Sequence, residues 1–156
     1  MRLITLKNMP LFVAAFAFVV MVQKSNAQTY DVDYTVEYIN GKLDGKCKLF
    51  SEKKNLRVEF YDNSGVARMD YIFPESIDFE EGIVYSENEG AVLLKCYEKA
   101  GRCIESDIIK RDSKILRNRT NLSSECTDGC VGLVEAAKHL ILLYVEDDVE
   151  RTEPFE

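Results

Sequence analysis

The sequence predicts an α+β fold: an antiparallel β-meander of about seven strands, forming a curved sheet or half-barrel, packed against a C-terminal amphipathic helix. Three observations carry this reading. Short stretches of alternating apolar and polar residues recur through the first half of the chain, and turn signals divide them at intervals of roughly 8 to 12 residues. Beyond Val131 the apolar period changes to three and four, the spacing of one face of a helix.

The elements follow in order. Tyr30, Val32, Tyr34, Val36 and Tyr38 alternate with Asp31, Asp33, Thr35 and Glu37, as in a half-buried strand. Asn40-Gly41 and Asp44-Gly45 accept the positive φ angles of tight turns, and a second strand is expected over Lys46 to Ser51. Leu56, Val58 and Phe60 give a third. After the turn Asp62-Asn63-Ser64-Gly65, Ala67, Met69, Tyr71 and Phe73 share one face of a fourth, which Pro74 ends by withdrawing a backbone donor. Ile77 with Phe79 and Ile83 with Tyr85 mark short strands on either side of Glu81-Gly82. Glu87 to Gly90 then turns the chain into Ala91 to Tyr97, the most apolar strand.

Residues 104 to 119 mix five aliphatic side chains with Lys110, Arg111, Lys114, Arg117 and Arg119, and Ser106 or Asp107 could cap a short helix there. From Val131, the residues Leu133, Val134, Ala137, Leu140, Ile141, Tyr144 and Val145 form one apolar stripe that the concave sheet face is expected to bury. The acidic residues after Val145 are expected to fray into solvent.

Three segments follow from this pattern. Residues 1–27 read as a signal peptide, because Arg2 and Lys7 precede the apolar run Leu11 to Val22 and Ser25-Asn26-Ala27 supplies small residues for cleavage. That run is shorter than the roughly 20 residues that span a bilayer. Residues 28–145 form a single secreted domain, and 146–156 an acidic tail. The leader takes three of the 20 basic residues and none of the 27 acidic ones, which leaves the mature chain at −10. Such a surface disfavours nucleic acid as a partner.

All five cysteines lie beyond the leader. In an oxidising compartment, proximity pairs Cys96 with Cys103 and Cys126 with Cys130, and leaves Cys47 as a buried thiol or an interchain link in a disulfide-bonded dimer. The rival pairing joins Cys47 to Cys126 or Cys130. Asn118-Arg119-Thr120 and Asn121-Leu122-Ser123 are adjacent glycosylation acceptors, so residues 118–124 are expected to be a surface loop.

No catalytic, cofactor or metal motif stands in the chain, and the expectation is a non-enzyme without cofactor. His139, the only histidine, falls within a helix without a nucleophile at a recognisable spacing. Cys126, Cys130 and His139 lack a fourth zinc ligand, and Glu146-Asp147-Asp148 lacks the alternating ligands and glycine of a calcium loop. The order of a meander followed by an apolar helix resembles, in architecture alone, the half-barrel lipoprotein carriers and more loosely the lipocalins. The absence of tryptophan departs from the lipocalin signature near the first strand.

Two functions are expected of such a chain. In one, a secreted binding protein carries or sequesters a small hydrophobic ligand, with Tyr34, Tyr38, Leu140, Ile141 and Tyr144 lining the site. In the other, a filled core leaves the surface to act, as in a venom, salivary or defence effector or a matrix component that meets an extracellular protein. The basic cluster from Lys110 to Arg119 could touch an anionic glycan or lipid headgroup.

Overall fold

The computed structural model describes residues 31–126 and 128–151, with side chains as far as Glu146; the expected leader, Tyr30 and residues 152–156 of the tail lie outside the described residues. Residues 31–40 form a helix, α1, where the sequence pattern suggests a strand. The reason is a second period in the same stretch. Val32, Thr35, Val36 and Ile39 stand at i, i+3, i+4 and i+7, and this is the face that is buried, with Ile39 at 0% exposure. The alternating tyrosines hide that stripe: Tyr34 and Tyr38 point outward, 60% and 39% exposed.

Eight antiparallel strands follow: β1 (Cys47–Ser51), β2 (Leu56–Asp62), β3 (Gly65–Ile72), β4 (Ile83–Ser86), β5 (Ala91–Lys95), β6 (Ile104–Ile108), β7 (Ser113–Arg117) and β8 (Arg119–Ser123). They do not make one meander. A five-stranded sheet runs β1-β2-β3-β6-β7 and a three-stranded sheet runs β4-β5-β8, and neither closes into a barrel. The α+β class and the C-terminal helix are as the sequence predicts; the early strand count is lower, because α1 replaces one strand and Ile77 makes only an isolated bridge to Cys96.

The turn chemistry places the hairpins. At Asp62–Gly65 the Asp62 carboxylate accepts from the Ser64 main-chain N–H and hydroxyl, while Gly65 takes φ 111°, open to glycine alone without strain. Pro74 ends β3 and begins the one-turn 3-10 helix Pro74–Ser76. Gly82 matters for space, since a Cβ there would lie 2.5 Å from the Asp78 carbonyl oxygen and 2.9 Å from that of Lys95.

Two further expectations are corrected in the C-terminal half. The segment 104–119 is a hairpin and not a helix, since Ile104, Ser106 and Ile108 alternate on β6 and Asp112, in the left-handed region, closes the turn into β7. Residues 118–124 are mostly strand β8, paired with β5 from Ala91–Ser123 to Lys95–Arg119.

The final helix, α2 (Val131–Arg151), packs against the Pro74–Ser76 turn and β4. It runs past the expected fraying point after Val145. Leu133, Ala137, Leu140 and Ile141 join Ile39, Leu49, Val58, Ile72 and Val92 in one buried cluster. Among the described residues, no helix is long and apolar enough to cross a membrane.

Candidate anion-binding groove

The five residues expected to line a hydrophobic site do not converge on one concavity. Leu140 and Ile141 are each 1% exposed within the core, Tyr34 and Tyr38 are exposed on α1, and Tyr144 donates its hydroxyl to the Glu52 carbonyl at 2.8 Å. That half-buried phenol is pushed up to about 12, chiefly by loss of water around it. Tyr38 lies over the first turn of α2, where a Cβ on Gly132 would meet its hydroxyl at 2.8 Å.

Cys96 is joined to Cys103 and Cys126 to Cys130, while Cys47 is free and buried. The Cys47 sulfur accepts the Ser123 N–H at 3.3 Å, and desolvation raises its pKa. His139 is exposed on α2.

A polar concavity lies where β7 passes directly into β8 and the chain changes sheets. Strand pleating sets Asp70 of β3 opposite Ser106 of β6, and Ser106 opposite Ile115 of β7. Asp70 is wholly buried. One of its oxygens accepts from the Ser106 hydroxyl at 2.6 Å and the other from the Thr120 hydroxyl of β8 at 2.5 Å. One carboxylate therefore ties the two sheets together. Burying a lone carboxylate would cost several kcal/mol, and these donors together with Arg68 offset that cost.

Arg68 lies with its Nε 3.0 Å from the first Asp70 oxygen, without the alignment of a hydrogen bond. Its guanidinium stacks on the Phe60 ring at 3.7 Å from the centroid and donates to the Asn121 side-chain oxygen at 3.3 Å. Burial, and then the neighbouring Arg117 cation, pull the pKa of Arg68 below its ordinary value; Asp70 opposes them only in part. Arg117 is less well satisfied. Its Nε is buried and has no acceptor.

These two arginines stand with Arg102 and Arg119 around a groove of ≈ 480 Å³. Glu89 pairs with Arg119 at 3.0 Å. Counting Asp70 and Glu89 against the four arginines leaves a local charge of +2, in a chain whose overall charge is −7. Ile115 and Leu116 also border the groove, 41% and 56% exposed.

No known family, characterised protein or solved structure matches this chain. What the groove can do has to be read from its own atoms. Guanidinium groups present planar, paired donors that fit the oxygens of a carboxylate, sulfate or phosphate, and a buried donor without an acceptor gains most from meeting one. Sequence reading finds Arg117 and Arg119 through their basic cluster. It misses Arg68 and Asp70, which lie some fifty residues away in the chain. A charged pair on the face of β3 that also carries Ile72 is the signal that could have found them.

Proposed function

We propose that this chain is a secreted, non-enzymatic binding protein whose arginine groove captures the acidic head of a small amphipathic ligand. The observation that carries the reading is the buried Nε of Arg117, a charged donor held in a concave site without an acceptor. Leaving such a donor unmet costs about 1–3 kcal/mol, and an incoming oxyanion would recover it. The apolar body of the ligand would lie along Ile115 and Leu116, whose exposure on an edge strand otherwise costs solubility. The carrier function expected from the sequence is thereby moved from the helix side to the groove.

Other features fit an extracellular setting. Cys96–Cys103 and Cys126–Cys130 suit an oxidising compartment, and the leader and the two glycosylation acceptors belong to the same route. Cys47 serves as an inert core thiol in this reading, since burial raises its pKa and suppresses the reactive thiolate.

Calorimetry with octyl sulfate, and with octanol as the uncharged control, tests the proposal. Arg117→Gln should weaken octyl sulfate binding about tenfold or more, the loss of one charge-assisted hydrogen bond, and leave octanol unaffected. Equal affinity of the protein for the two probes would sink the reading.

A further inference from the structure

Both glycosylation acceptors stand at the groove, in very different surroundings. Asn118 is the one residue between β7 and β8, its side chain is exposed, and the hydrogen bond it makes is through its main chain, whose carbonyl accepts the Cys96 N–H at 2.9 Å. Asn121 is half-buried within β8, opposite Leu93, and its side-chain oxygen holds Arg68. A glycan on Asn121 would be bonded to the amide nitrogen beside the oxygen that holds Arg68, and would have to leave through a groove of ≈ 480 Å³ that it far exceeds in size.

The acceptor hydroxyls add an order of events. Thr120 is 2% exposed and spent on Asp70, and Ser123 donates its hydroxyl to Asp44 at 2.7 Å, so sugar transfer must precede closure of this region. On the extended chain the two asparagines are only about 10 Å apart, close enough for a glycan on one to obstruct transfer to the other. The form that folds is the one modified at the exposed position.

We infer that Asn118 alone carries the glycan, and that this glycan stands at the rim of the arginine groove as a size filter. It admits a small anion and turns away a long sulfated polysaccharide. The filter rests on the groove being an anion site; the choice between the two asparagines does not.

Secreted wild type, Asn118→Gln and Asn121→Gln, made in a eukaryotic host, are compared by intact mass. Cleavage after Glu105 and Glu125 releases one fragment holding both positions, for localisation of the sugar. Wild type and Asn121→Gln should carry the same single glycan, and Asn118→Gln none. A sugar on Asn121 in the wild type, on both positions or on neither overturns the assignment.

For the filter, the wild type is made with high-mannose glycans, and half is trimmed by an endoglycosidase to one sugar. Both forms should bind octyl sulfate within about twofold of each other. The trimmed form should leave a heparin column at salt roughly 0.1 M higher, because the polyanion then reaches the arginines. Equal elution overturns the filter. Failure of both forms to bind octyl sulfate overturns the groove reading and the filter with it, while the masses still decide the asparagine.

Discussion

Two regions of this protein use burial in opposite ways. Under α2, burial is apolar and complete: Leu133, Leu140 and Ile141 are 2%, 1% and 1% exposed and pack into one cluster with Ile39 and the strand residues. Between β3, β6 and β8 burial is polar, with Asp70 at 0% and its hydroxyl partners Ser106 and Thr120 at 0% and 2%. The first side needs nothing further. The second is satisfied at Asp70 and unsatisfied two strands away, at Arg117 of β7. Apolar packing stabilises wherever it occurs, whereas a polar cluster with an unmet donor is kept at some cost to stability, and a ligand is what would relieve it.

The largest expected effect tests the polar side. Asp70→Ala leaves Arg68 partly buried without its counter-charge and strips Ser106 and Thr120 of their acceptor, which should cost about 3–5 kcal/mol in urea unfolding. Leu140→Ala on the other side should cost about 3 kcal/mol, the loss of a filled apolar site. The comparison sharpens if Asp70→Ala abolishes octyl sulfate binding while Leu140→Ala, measured where it is still folded, retains it. It breaks if Asp70→Ala costs less than about 1 kcal/mol, because the carboxylate would then not be the tie between the sheets.

A pH measurement separates the sides next. The Tyr144 pKa rises from 10.0 to about 12 in the folded chain. The neutral phenol is thus favoured by folding, and its contribution is whole below pH 10 and is lost as the pH climbs from 10 toward 12. The drop should not exceed about 2 kcal/mol, given that the ring is only half-buried. Tyr144→Phe should flatten that alkaline slope and lower stability at neutral pH by about 1 kcal/mol, the worth of the bond to the Glu52 carbonyl. A slope that persists unchanged in Tyr144→Phe would assign it to another tyrosine.

How far each side could be read from sequence follows from the same contrast. The stripe from Leu133 to Val145 identifies α2 because apolar periodicity is local, and Asp62-Asn63-Ser64-Gly65 and Glu87–Gly90 place their turns because turn chemistry is local as well. At α1 two local signals compete. Tyr34 and Tyr38 imitate a strand, and burial of Thr35 and Ile39 decides for the helix only once Ile39 joins the core cluster formed by distant parts of the chain. On β6 the buried Ser106 interrupts the apolar alternation, so the strand passes for a helix start. The groove is the least legible part. Its basic cluster is visible, but Arg68 and Asp70 reach it only through the pairing of β3 with β6, a contact that no local pattern specifies.

The smallest expected effect is the most telling, because its sign runs against intuition. Replacing a charged residue by an apolar one on a partly exposed strand usually does little or harms the fold. Arg117→Met should instead stabilise the protein by about 0.5–1 kcal/mol, since it removes a buried Nε that has no acceptor, relieves the repulsion on Arg68, and keeps the aliphatic stem beside Ile115. The same substitution should cost octyl sulfate binding at least as much as Arg117→Gln does. Stability gained and affinity lost at one side chain would identify Arg117 as a residue held for a ligand. A loss of stability would mean that the guanidinium already has a partner in solution, a bound water or an ion, and that the groove is nearer to the filled side of the molecule than its geometry implies.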